Sequence, residues 1–298
     1  MNLRQLSLKD KAVFDKYLST KPYQLSAYTF AGIFIWKSLY RISWSVIEEN
    51  LCVFFQDKLG CFMNLDPQGK NKSAALIKKC FTIMDFLNKN SSFSRIENIE
   101  EGALDFYRAL GYNCVYKSSE YLCSSSDLAA LRGNAFKSKR SVYNYFVKNY
   151  PHRYSPLLNK DKAECLRLYK KWMLERKAHT SDAIYLGMLK DNLLSQKIAL
   201  ADYQRLGLVG RKVTVKDKIV AYTLGCEIAP DTFCILFETT DLDIKGAAQF
   251  IFREFCREMA RYKYINIMDD LGLQSLAKVK LSYKPIKLIP AYIVQRYA

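Results

Sequence analysis

The feature of this chain that most restricts its fold is an alternation of two hydrophobic periods that runs through the same order twice. In residues 10–18 and 27–39 the apolar side chains recur at helical spacing. Residues 43–47, 51–56 and 60–65 are short β-rich runs separated by turn residues. The loop DPQGKNK at 66–72 leads to a helix over 74–88, which Ser73 can cap. A strand over 93–99, a helix over 100–110 stopped by Gly111 and a strand-like run over 112–123 complete the half. The second half reads as a strand at 153–158, helices at 161–177 and 187–206, and strands at 209–215, 219–227 and 232–238. A helix at 246–262, a strand at 264–267, a helix at 271–281 and an extended run at 286–296 follow. The sequence itself does not repeat, only the order of elements. With 298 residues and roughly 150 per domain, the pattern predicts two copies of one mixed α/β unit in place of one large sheet. Their expected extents are residues 1–127 and 153–298, joined by a connecting helix at 128–152.

Half the residues are apolar and 14% are aromatic, so the chain can build real cores, and disorder through low hydrophobicity is excluded. The net charge of +17 predicts attraction to a polyanion: RNA, an anionic bilayer surface or a phosphate-rich cofactor. Nine cysteines, an odd number with no Cys-x-x-Cys pair, fall mostly in apolar runs, the pattern of reduced thiols in a cytoplasmic protein. With only His152 and His179 to assist, neither a cysteine nucleophile nor a Cys/His metal site is expected. The first residues, MNLRQLSLKDK, lack the apolar core of a signal peptide. The apolar stretch at 28–36 is far below the roughly 20 residues of a membrane span. The expectation is a cytoplasmic protein with no transmembrane segment, at most peripheral on a membrane.

The connecting segment is the most basic part of the chain. Residues 131–153 hold Arg132, Lys137, Lys139, Arg140, Lys148 and Arg153 and no acid. On one continuous helix over 128–150, Lys137, Arg140, Asn144 and Lys148 share a face. Phe136, Tyr143, Phe146, Val147 and Tyr150 share another, which Lys139 interrupts. The arrangement reads either as an amphipathic connector with a solvated basic face or as a phosphate-binding face.

Three segments carry candidate chemistry. EGALDFYRALGY at 101–112 resembles the helix-to-strand passage of Gcn5-related N-acetyltransferases, with Gly111 ending the helix and Tyr112 re-entering the sheet. In ETTDLDIKGAAQ at 238–249, Lys245 and Gly246 stand at a helix entrance after a strand, where free amides suit an anion. The acetyltransferase pyrophosphate loop is incomplete there, with Asp243 at one position and only Gly246 and Ala248 fitting. In 265–292, Asn266, Asp269 and Asp270 cluster at a strand end, followed by Lys278, Lys280, Ser282, Tyr283 and Pro285. Spacing alone allows an ordinary ion-pair network there.

Taken together, LRGNAFKSKRSVYNYF at 131–146, IVAYTLGCEI at 219–228, ILFETTDLDIKGAAQ at 235–249 and DDLGLQSLAKVKLSYKP at 269–285 resemble the family of the phosphatidylglycerol lysyltransferase C-terminal domain. LSAYTFAGIFIWK at 25–37 extends the resemblance over nearly the whole chain. It implies two tandem Gcn5-related N-acetyltransferase-like domains, related to the Fem-type aminoacyltransferases. It also implies transfer of an aminoacyl group from aminoacyl-tRNA to an amine or hydroxyl, with no tightly bound cofactor; acyl-CoA is the alternative donor. The acceptor that the resemblance implies is a small molecule or a lipid. On this reading Lys280 polarises the carbonyl, Asp270 or Glu238 orients or deprotonates the acceptor, and Tyr283 protonates the leaving group. Asn266, Asp269, Lys278 and Ser282 line the substrate. Arg132, Lys137, Arg140, Asn144 and Lys148 hold the donor's phosphates, with Lys245 and Gly246 as a second phosphate site. Ile267 and Met268 stand where the family pattern has Arg and Glu, and Ala277 where it has another Arg, so three charges are missing beside this site.

Overall fold

The structure is a computed structural model, and it describes residues 3–89 and 92–297. In chain order the N-terminal part comprises β1 (Arg4–Gln5), α1 (Lys11–Leu18), α2 (Phe30–Phe34), β2 (Arg41–Ile47), β3 (Asn50–Gln56), β4 (Cys61–Met63), α3 (Ala74–Leu87), β5 (Arg95–Glu100), α4 (Leu104–Ala109) and β6 (Asn113–Ser124). Then come α5 (Ser125–Ala130), α6 (Lys137–Asn149), β7 (His152–Pro156), α7 (Lys162–Lys177), α8 (Ala183–Asp202), β8 (Val209–Val215), β9 (Lys218–Ala229) and β10 (Thr232–Thr240). The chain closes with α9 (Ala247–Glu258), β11 (Tyr264–Asn266), α10 (Gln274–Leu281) and β12 (Lys287–Gln295).

The strands of the two halves join in one sheet, ordered β1-β2-β3-β4-β5-β12-β6-β11-β10-β9-β8-β7. The expectation of two units in place of one large sheet is corrected in this respect. The last strand, β12, does not stay with its own half. It inserts between β5 and β6 and runs antiparallel to both. β6 in turn pairs with β11 on its other side. Alternation along β3 shows how the sheet divides its neighbours. Leu51, Val53 and Phe55 enter the core beneath α1, α2, α7 and α8, whereas Cys52 and Phe54 enter the core under α3 and α4. On that second face, α9 lies with α5 and α6 over β8 to β11.

Local signals start the helices, at α3 where the sequence places it and at α8 ahead of the expected 187. Ser73 accepts from the Leu76 N–H at 3.0 Å and caps α3, as expected. Asp182 accepts from Ile184 N–H at 2.9 Å at the start of α8. The helix expected over 128–150 is interrupted. Leu131 and Gly133 take positive φ, and a 3-10 turn at Asn134–Phe136 separates α5 from α6. A short, tight break of this kind is invisible to periodicity, because the apolar positions on either side keep helical spacing. All nine cysteines are free and eight are buried, with Cys114 half-buried.

Candidate active site

The site grows from a fork in the sheet. β10 pairs in parallel with β11 for three residues only, Thr232 to Cys234 against Tyr264 to Asn266. Beyond Asn266 the chain stays with β6: Ile267 N–H donates to the Tyr121 carbonyl at 3.0 Å, and Tyr121 N–H donates to the Met268 carbonyl at 3.2 Å. β10 meanwhile continues along β9 to Thr240. At the base of the fork the sulfurs of Cys234 and Met268 lie 3.5 Å apart.

A β-bulge decides which side chain looks into the fork. Strict alternation would put Ile235 and Phe237 on one face and Glu238 on the other. The register of β10 against β9 shifts between Ile235 and Phe237. Phe237 therefore packs with Leu224 in the core under α7 and α8, while Ile235 packs with Phe252 and Cys256 of α9. Glu238 is turned to that α9 face, near Tyr283 and Cys256, where burial first and the Glu238 carboxylate second push the phenol and the thiol toward their neutral forms. Gly225, paired with Ile235, allows the close approach, since a Cβ there would lie 2.4 Å from the Cys234 carbonyl oxygen.

Four of the groups expected to carry chemistry are at or beside this fork. Glu238 is open to water on one side but enclosed by protein on the others. Burial holds its carboxyl up to about 8, against the opposing pull of Lys280 and Lys139. Lys280, near the end of α10, is lowered by burial and drawn back by Asp269 and other anions. Its ammonium donates to the Ile267 carbonyl and lies 5.9 Å from the Tyr121 ring centre. Tyr283 is buried against Phe252, with ring centres 4.3 Å apart, and burial keeps its phenol protonated well above its usual range. Asp270 is less free. Its carboxylate accepts from the Tyr121 hydroxyl at 2.5 Å and from Gly272 N–H at 2.9 Å. Asp269 stands beside it, half-buried, near enough to favour the charged form of Lys280.

The sequence missed Lys139 as a member of this group. Its Nζ sits 4.1 Å from the Tyr283 ring centre, and burial lowers its pKa while Glu238 raises it. The signal was present: Lys139 is the charge that breaks the apolar stripe of α6, and the stripe faces the protein. Sequence reasoning also missed Glu120, which is buried behind the fork. Its carboxylate accepts from Ser26 N–H at 2.9 Å and from the Asn266 side chain at 2.6 Å. Asn266 is fully buried in this network and also donates to the Gln24 carbonyl at 2.9 Å, so its amide braces β11 and does not face the cleft. Ser282 donates to the Val279 carbonyl at 2.5 Å as a helix-end bond, and Lys278 is exposed on the outer side of α10.

Of the residues expected to hold the donor's phosphates, Arg132, Lys137, Asn144 and Lys148 are exposed. Arg140 is not available with them, because its guanidinium donates to the Leu131 and Gly133 carbonyls and closes the break before α6. Val147, expected on the apolar stripe, is 43% exposed. Lys245 reaches over the Tyr145 ring, 4.6 Å from its centre. Gly246 opens α9 with φ of 90°, and a Cβ there would lie 2.6 Å from the Val142 carbonyl oxygen. Contact with α6 therefore accounts for this glycine without a phosphate. Glu175, Asp241 and Asp243 converge as metal ligands could. The Lys171 ammonium already lies among them, 2.7 Å from Asp241 and 2.6 Å from Asp243. Two cavities of about 550 and 580 Å³ share no lining residue with the fork.

Comparison with known proteins agrees with this architecture. No curated protein matches the sequence. A conserved protein of unknown function from Bacteroides thetaiotaomicron superposes with a TM-score of 0.89 at 25% identity, over 100% of both chains. L-PGS from Bacillus licheniformis superposes with a TM-score of 0.66 at 15% identity, over 96% of this chain and 92% of that one. A tandem GNAT protein from the clavulanic acid biosynthesis pathway gives 0.52 at 7% identity, over 100% and 99%. The last two establish a tandem acetyltransferase-like fold. Among the described residues no helix is long and apolar enough to cross a membrane. The family described as phosphatidylglycerol lysyltransferase, C-terminal, matches residues 20–295, and the chain belongs to that family.

Proposed function

We propose that this protein is a cytoplasmic acyltransferase that moves an aminoacyl group from aminoacyl-tRNA to an amine or hydroxyl acceptor in the fork between β10 and β11. The observation that carries this reading is the clustering of Glu238, Lys280, Lys139 and Tyr283 at this fork. Ionised Glu238 takes the proton of the acceptor as its nitrogen or oxygen attacks the ester carbonyl carbon. Lys280 and Lys139 face the oxygen on which negative charge develops. As the ester bond breaks, Tyr283 returns a proton to the departing ribose oxygen. Glu238 is a better base than Asp270, whose oxygens are engaged by Tyr121 and Gly272. Lys137, Lys148 and Arg132 on the exposed side of the connector suit the donor's phosphates.

The test is transfer of a labelled amino acid from a mixture of charged tRNAs to amine and hydroxyl acceptors. Glu238→Gln and Lys280→Ala should each slow transfer by roughly a hundredfold or more while tRNA affinity stays close to that of the parent chain. If no label moves from any charged tRNA while acetyl-CoA is consumed, the donor is a thioester. If neither donor reacts, the fold serves as a polyanion-binding scaffold.

A further inference from the structure

One of the two cavities outside the fork, of about 580 Å³, opens where the end of α6 meets α7 and the turn between β8 and β9. Its floor is aliphatic: Leu168, Val215, Ile219 and Val220 line it and are each between 5% and 7% exposed. Half-buried Tyr150 and exposed Pro151 add a wall from the chain that leaves α6. Four cations line the cavity against two acids, Glu164 and Asp241. Both acids are engaged. Glu164 accepts from the Ile219 N–H at 2.8 Å, and Asp241 lies 2.7 Å from the Lys171 ammonium. That leaves Arg167, Lys216 and Lys218, all exposed, and none forms a salt bridge among the described residues. The tight turn at Lys216 and Asp217, both with positive φ, sets the two lysines on either side of Asp217, which does not line the cavity.

Free cations on a convex surface are solvated and need no partner. Here they ring a hollow whose bottom is hydrocarbon. Like charges held together repel, and an apolar hollow gains by being covered. One ligand relieves both costs if it brings an anionic head and an apolar body. Inorganic phosphate would meet the cations and leave the floor wet. The backbone of RNA carries its charge along a strand and offers no apolar body to such a floor. We infer that this cavity binds a small organic anion, with a carboxylate or phosphate monoester head held by Arg167, Lys216 and Lys218 and a ring or branched aliphatic body on the floor. The site shares no lining residue with the fork, requires no acyl transfer and stands apart from the reaction proposed above.

The experiment is a fluorescence titration of the full chain with anilinonaphthalene sulfonate, an aromatic anion that brightens in an apolar site, followed by displacement. Naphthoate and naphthyl phosphate should both displace it, the better of the two identifying the preferred head as carboxylate or phosphate. Inorganic phosphate and neutral naphthol should each displace it at least roughly tenfold less well. Arg167→Ala combined with Lys218→Ala should weaken binding of the dye roughly tenfold or more. Lys78→Ala combined with Lys79→Ala, on α3, removes the same charge elsewhere and should leave that affinity unchanged. Ile244→Trp fills the cavity from its lining without altering charge and should also weaken binding. Thermal melts confirm that each variant folds, and slowed amide exchange at 215–220 on adding naphthyl phosphate reports the contact in the unaltered chain. Absence of saturable dye binding would overturn the proposal. An equal loss from the α3 pair would reduce the effect to net charge and overturn it as well. Displacement by inorganic phosphate as strong as by naphthyl phosphate would deny the apolar floor any part and do the same.

Discussion

Glu238 shows how far one residue depends on its surroundings. Its folded pKa, about 8, lies above its ordinary value of 4.5, so the folded state holds the proton more tightly than the unfolded chain. The stability it contributes is complete below 4.5 and is lost as pH rises through about 8. Glu238→Gln should therefore melt at a higher temperature than the parent at alkaline pH and nearly alike at acid pH, which calorimetry at the two extremes checks. As general base the same group must be ionised, so transfer by the parent should rise with pH through about 8. The Gln variant should lose roughly a hundredfold or more in rate and show no such rise. Lys139→Met keeps the length of the side chain and removes its charge. The expected outcome is slower transfer with tRNA affinity unchanged, measured by single-turnover kinetics and filter binding.

At the scale of elements, the bulge in β10 and the break before α6 matter most. Both place a charged side chain against the trend of its own segment. Arg140 closes the break by bonding two carbonyls, so Arg140→Ala should cost about 1–3 kcal/mol of stability and change polyanion affinity little. Lys137→Ala with Lys148→Ala should do the reverse, leaving the melting curve in place and lowering the salt dependence of RNA binding by about two phosphate contacts. Gly246→Ala faces both a φ of 90° and the Val142 carbonyl, and a loss of at least about 2 kcal/mol is expected in chemical denaturation.

For the whole molecule, the position of β12 ties the ends of the chain together. It lies between β5 and β6, so the N-terminal part of the sheet is continuous only when residues near 290 are in place. Deleting residues 286–298 should remove cooperative unfolding from the entire chain, including α3 and α4. A surviving transition assigned to the N-terminal half by amide exchange would contradict this. The same insertion carries α10 and its lysines to the mouth of the fork, because the segment must pass there on its way into the sheet.

Helix and strand periods, the cap at Ser73 and the stop at Gly111 were legible along the chain because they arise from neighbours three or four residues apart. The basic connector and the cluster from Asn266 to Tyr283 were legible as composition, and so was the odd lysine at 139. What those charges face was decided by tertiary structure alone. Asn266 and Glu238 are both polar groups near strand ends, yet one is sealed in a network with Glu120 and the other is exposed at the fork. The difference comes from a one-residue bulge and from a strand contributed by the far end of the chain. Pairing across such distances depends on which edges remain free once the rest has folded, and no local period records that.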